Sequence, residues 1–97
     1  MSKNIATITS VSTGHADWPS RATNQGSSNV FAEGLGVHRQ GDEWITHCNS
    51  QKVCHTGSAS GVSKTVFCNG RGVARVGDTI SCGDRIATGR KTVFVGD

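Results

Sequence analysis

The sequence predicts an all-β chain of short hairpins arranged with a pseudo-threefold repeat, and three observations carry that expectation. Val (10), Ile (5) and Thr (10) dominate a chain of 97 residues that has one Leu and two Glu. Branching at Cβ favours extended backbone, and the usual helix formers are scarce. Thirteen Gly and 11 Ser are available for tight turns. Most tellingly, a block recurs. Residues 29–42 read NVFAEGLGVHRQGD and residues 65–78 read TVFCNGRGVARVGD, identical at 8 of 14 positions at an offset of 36.

Each full copy reads as a hairpin. Val30-Phe31 and Val66-Phe67 supply one strand, and Gly34-Leu35-Gly36 and Gly70-Arg71-Gly72 supply the turn, since glycine tolerates positive φ. Val37 or Val73 starts the return strand, which ends at Gly41-Asp42 or Gly77-Asp78. The aspartates are expected to accept hydrogen bonds from their own turns. Arg39 and Arg75 occupy equivalent slots, which suggests a repeated structural or interface role. A truncated third copy, Thr92-Val93-Phe94-Val95-Gly96-Asp97, closes the sequence, and the alternating stretch 5–11 is its expected strand partner. Two irregular stretches, 14–26 and 46–61, lie between these units; loops of that length in a small fold are usually functional or tied down.

Length and composition set further bounds. Residues 1–97 are expected to form one domain. Leu, Ile, Val and Phe together make up 19 residues, so the core is thin and needs help from a metal, a disulfide or a partner. A net charge of +3 with scattered Lys and Arg gives little support for nucleic-acid binding. No run approaches the ~18 apolar residues of a membrane-spanning helix. The N-terminus carries no apolar run behind a basic start, so synthesis in a cytosol with reduced thiols is expected.

Eight side chains are candidate metal donors: His15, His38, His47, His55, Cys48, Cys54, Cys68 and Cys82. No CxxC or HExxH spacing singles out a set. Cys68 aligns with Ala32 and reads as a small buried residue, and His38 aligns with Ala74 on a return strand. The rest fall in or beside the irregular connections. Cys48 and Cys54 each adjoin a histidine, so either competes with its neighbour as ligand. A disulfide between them is an alternative that a cytosolic origin disfavours, and an all-cysteine site is a further one. Trp44 aligns with Ile80 and reads as core; Trp18 reads as a cover for a metal site or as packing for the first long loop.

The V-F-x-x-G-x-G-V-x-R-x-G-D blocks, most clearly Gly72-Val73-Ala74-Arg75-Val76-Gly77-Asp78 followed by Ser81-Cys82-Gly83, resemble the repeats of PAAR-domain proteins. Those proteins tip the spikes of contractile phage tails, including the T-even type, and of type VI secretion systems. The likeness runs from about Gly14 to the end. The Pro-Ala-Ala-Arg itself is replaced by Gly-Val-His-Arg and Gly-Val-Ala-Arg. The resemblance implies a small cone of hairpins with a structural zinc near its apex, held by His15, His47, His55 and Cys82. It also implies a flat base capping a trimeric β-helical spike, one tip per trimer, with transient contact to the bacterial outer membrane. The place implied is the virion, at the tail baseplate and spike tip, after synthesis in the host cytoplasm.

No enzyme is expected. The two glutamates, Glu33 and Glu43, sit in no hydrolase motif; there is no G-x-S-x-G elbow, and the Gly-x-Gly pairs open no helix. No small-molecule substrate and no nucleic acid are implied. The competing classes are a zinc-stabilised nucleic-acid-binding module and a metal-dependent hydrolase or toxin. Which residues of the base would meet the spike is not legible.

Overall fold

The computed structural model describes residues 2–96, so Met1 and the Asp97 that ends the truncated copy lie outside the described residues. Among those described there is no helix, and therefore none long and apolar enough to cross a membrane. The strands are β1 (Lys3–Asn4), β2 (Phe31–Ala32), β3 (Leu35–Gly36), β4 (His47–Cys48), β5 (Cys54–His55), β6 (Phe67–Cys68), β7 (Arg71–Gly72) and β8 (Phe94–Val95). They pair as antiparallel ladders β1–β8, β2–β3, β4–β5 and β6–β7.

The two repeat hairpins form where the sequence placed them, but they turn earlier than expected. Glu33 and Gly34 have φ of 52° and 80°, and Asn69 and Gly70 have 55° and 78°. Two consecutive positive φ values are the signature of the two-residue turn that matches strand twist, and Asn-Gly is its strongest sequence signal. The return strands therefore begin at Leu35 and Arg71, not at Val37 and Val73. Gly36 and Gly72 are strand residues rather than turn residues. A Cβ on either would collide with the carbonyl oxygen of Ser27 or Ser63, so they serve close approach.

The third unit is built from the two chain ends, in the register Lys3↔Val95 and Asn4↔Phe94. The expected strand partner, 5–11, is corrected: pairing uses Lys3 and Asn4, while Ile5 and Thr7 bridge sideways to Arg75 and Val37. Equivalent hydrogen bonds reveal the copy. Val37 N–H donates to Val30 O at 3.0 Å, Val73 to Val66 O at 3.1 Å, and Ile5 to Val93 O at 3.0 Å. Residues 3–10 thus repeat 35–42 and 71–78 in backbone, with almost none of their side chains in common.

At the pseudo-threefold axis the three units close a cycle. Ala6 N–H donates to Ala74 O at 2.9 Å, Ala74 N–H to His38 O at 2.9 Å, and His38 N–H to Ala6 O at 3.0 Å. Two apolar layers adjoin this ring. One holds Ile5, Val37 and Val73 with Ala32, Cys68 and Val95, two triplets of equivalent residues. The other holds Trp44, Ile80, Ala59 and Ile86 with Ala6 and Ala74. Cys68 and Trp44 are core residues, as expected.

The aspartates do what their turns require. Asp42 and Asp78 accept the N–H of Arg39 and Arg75 at 2.9 Å, and each also binds the same arginine's Nε at 2.9 Å and Nη2 at 3.0 Å. Burial pushes the Asp42 carboxyl up, but the Arg39 hydrogen bonds outweigh it and hold the group below its ordinary value. In the third unit Ser10 Oγ takes this place, accepting Thr7 N–H at 3.1 Å.

Two predictions follow from departures from the repeat. Thr9, at φ 77°, stands where the other units have Gly41 (86°) and Gly77 (91°). A β-branched residue is strained there. Thr9→Gly should stabilise the protein by about 1 kcal/mol, or about 4–8 °C in Tm by thermal melting. The second concerns His38, fully buried where the other units have Ala6 and Ala74. Burial lowers its pKa below 6.5, and this outweighs the opposing Gln25 carbonyl and Asp42 carboxylate. A histidine with a depressed folded pKa contributes stability above its unfolded value and loses it as pH falls. Chemical denaturation from pH 7 to pH 5 should show wild type losing its margin over His38→Ala below about pH 6.5.

Candidate metal centre

Beyond the second apolar layer each unit ends in a loop closed by an equivalent hydrogen bond. Ser12 N–H donates to Arg21 O, Trp44 N–H to Gly57 O and Ile80 N–H to Asp84 O, each at 2.8 Å. The loops, 13–20, 45–56 and 81–83, differ greatly in length. The first carries His15, the second His47 and His55, and the third Cys82. Threefold folding thus delivers these four side chains to one place, with their donor atoms all within 4.8 Å of one another. His47 is buried and the other three are half-buried.

The loops also aim the rings. Nδ1 of His15 binds the carboxylate of Asp84, a nearly fully buried residue that also accepts Gly14 N–H at 3.1 Å. Burial pushes the Asp84 carboxyl up, but hydrogen bonds from His15 and Ser12 hold it below its ordinary value. Nδ1 of His47 donates to Pro19 O at 2.6 Å, which leaves Nε2 with its lone pair free. That Nε2 lies 2.6 Å from Nε2 of His55. Two ring nitrogens so close repel unless a proton or a cation lies between them. Partial loss of water, then the neighbouring His47 and His15 rings, push His55 below its ordinary pKa and favour the neutral, ligating form.

Trp18 covers this group and also ties down the first loop. Its ring stacks on His15 and His55, with centroids 5.2 and 4.7 Å away, and its Nε1 donates to Val53 O at 3.2 Å.

The other candidates go elsewhere. His38 lies at the axis, with Nδ1 on Gln25 O at 2.7 Å. Cys68 is in the layer of Ala32 and Val95. Cys48 and Cys54 are joined to each other, so they are not thiol ligands in this state, and an all-cysteine site is excluded. The expectation of reduced thiols throughout is corrected at this pair. Cross-strand register sets their Cα atoms 4.0 Å apart, and the free cysteines are Cys68 and Cys82. Asp84 and the Pro19 carbonyl escaped the sequence reading, because nothing in Gly83-Asp84 or Trp18-Pro19 signals which ring they face.

The family model for the PAAR motif matches residues 13–88. The chain belongs to the PAAR-motif family. Its members are structural proteins tied to the spikes of phage tails and secretion systems. The PAAR match encloses all four donors and leaves out β1 and β8, the unit whose equivalence lies in backbone hydrogen bonds. No curated protein matches the chain.

Three imidazoles and one thiolate are a donor set that suits tetrahedral zinc, whose bonds are about 2.0–2.1 Å to nitrogen and about 2.3 Å to sulfur. The carboxylate on His15 and the carbonyl on His47 are the outer partners that fix ring orientation at such sites. Asp84→Asn should lower zinc affinity about 10–100-fold, while His47→Ala and Cys82→Ser should abolish tight retention. Competition with a chromophoric chelator measures both.

Proposed function

We propose that this PAAR protein is the tip of a contractile-tail spike: residues 1–97 act as one domain that caps a trimeric β-helical spike, one tip per trimer. The observation that carries this reading is an exposed aromatic repeated in all three units. Phe31, Phe67 and Phe94 occupy equivalent positions in the three units and are 59, 61 and 60 % exposed. Val30 and Val66 stand exposed beside two of them. Isolated exposed apolar residues are common, but three aromatics repeated by symmetry point to an interface. A single chain that presents the same group three times can meet three identical subunits without leaving one contact unmade. Capping would also cover the open strand edges at the end of a β-helix.

His15, His47, His55 and Cys82 hold one structural zinc in this reading. An apex of three loops is too narrow for an apolar core, and a closed zinc site supplies roughly 10 kcal/mol or more of folding free energy. Four protein ligands leave no open position for substrate, which accords with a site that does no chemistry. Glu33 is engaged with Thr92 and Glu43 lies in a backbone bridge to Ser58. The tip is then a stiff point on the virion baseplate, made in the host cytoplasm. Sheath contraction drives it through the bacterial outer membrane, and it spends no nucleotide.

The test is binding to a trimeric β-helical spike fragment. Wild type should bind at one chain per trimer, with single Phe→Ala changes costing about 2 kcal/mol each, or some 30-fold. The triple Phe→Ser variant should not bind. Binding at one tip per spike subunit, or unweakened binding of the triple variant, would sink the proposal. Salt-dependent binding of single-stranded nucleic acid through the same phenylalanines would favour the nucleic-acid module instead.

A further inference from the structure

Inside its closing Trp44–Gly57 hydrogen bond, the longest ligand-bearing loop has a ladder of two residue pairs, His47↔His55 and Cys48↔Cys54. Neighbouring residues of a strand point to opposite faces. The histidine pair faces the donor cluster, and the cysteine pair faces outward, where both residues are exposed. So short a ladder specifies its register weakly, and a slip of one residue turns the slipped strand's side chains to the other face. Here a slip of either strand would trade one imidazole for one thiolate beside Cys82. Zinc accepts thiolate at least as readily as imidazole, so the donor chemistry does not oppose it. The disulfide does: it pins Cys48 to Cys54 on the outer face and leaves neither sulfur free to ligate.

We infer that Cys48–Cys54 is a redox-operated register lock, which selects the three-histidine, one-cysteine donor set and whose opening lets one of its thiolates replace a histidine on the metal. The inference rests on the reading of His15, His47, His55 and Cys82 as a metal site. Closing the lock oxidises two thiols by a low-molecular-weight disulfide such as glutathione disulfide. Two electrons and two protons leave the protein; its S–S bond forms as that of glutathione disulfide breaks, releasing two molecules of the thiol. A thiol or phosphine reductant reverses it. Because both cysteines are exposed, exchange does not require the fold to open.

The experiment loads the full chain with cobalt(II) in place of zinc. Thiolate-to-cobalt charge-transfer absorption then counts the sulfur ligands. Oxidised protein should show the intensity of one thiolate. After reduction by a phosphine, with two added hydrogens confirmed by mass, the intensity should rise about twofold as one further thiolate ligates. The Cys48→Ser/Cys54→Ser double variant should stay at the one-thiolate intensity with or without reductant.

An unchanged spectrum on reduction of wild type overturns the lock, and so does release of cobalt without added sulfur ligation. Resistance of the two thiols to oxidation by glutathione disulfide overturns it as well. Failure to bind cobalt in either redox state overturns the metal site itself, and the lock with it.

Discussion

Three backbone hydrogen bonds running in a cycle, Ala6 to Ala74, Ala74 to His38 and His38 to Ala6, are the constraint on which the rest of the molecule depends. Each N–H and C=O on this axis is shut away from water and must find its partner in the next unit. Leave out any one unit and two of the others' backbone groups lose theirs. This is why the chain ends have to meet, and why β1 and β8 complete the third hairpin. The axis also demands small side chains. Ala6 and Ala74 comply, while His38 turns aside, with its Nδ1 on the Gln25 carbonyl and its ring edge against Trp44.

From that ring the molecule is equal in one direction and unequal in the other. Around the first apolar layer each unit contributes the same pattern: an exposed aromatic, then a buried residue, Ala32, Cys68 or Val95. Toward the histidine cluster the three loops diverge in length and composition. The divergence is what a tetrahedral donor set requires, because three equal loops supply donors in threes and four are needed. One long loop with two histidines, one medium loop with one, and one short loop with a cysteine meet the count. Symmetry thus suits one end to a threefold contact, and its breaking suits the other to a metal ion.

The thinness of the core accounts for the weight placed on polar contacts. The second apolar layer has Trp44 and Ile80 in two units but Ser12 at the matching position of the third, and Ala59 and Ile86 are matched by Thr23. These buried hydroxyl residues are satisfied locally, with Thr23 Oγ1 donating to Glu43 O at 2.7 Å. Paired Arg39–Asp42 and Arg75–Asp78 brace two of the three turns. Polar groups of this kind add little net stability when satisfied and cost much when broken. They make the fold specific more than strong, which is the circumstance in which a metal site or a partner contributes most.

The amino-acid sequence alone announces the fold class, the two repeat hairpins, the roles of Asp42 and Asp78, and the burial of Cys68 and Trp44, because side-chain type carries each of these. With the PAAR resemblance it also singled out His15, His47, His55 and Cys82, which the structure brings together. The third unit was only half legible. Phe94 and Val95 keep the pattern, but Lys3 to Ser10 repeats 71–78 through backbone hydrogen bonds alone, and those leave no mark on residue identity. Turn position was readable at Asn69-Gly70 and hidden at Glu33-Gly34, where glutamate takes a positive φ that its type does not announce. That Cys48 and Cys54 face each other and away from the donor cluster is visible only in the folded chain. Their side follows from the strand register, and register is a property of the paired strands rather than of either sequence alone.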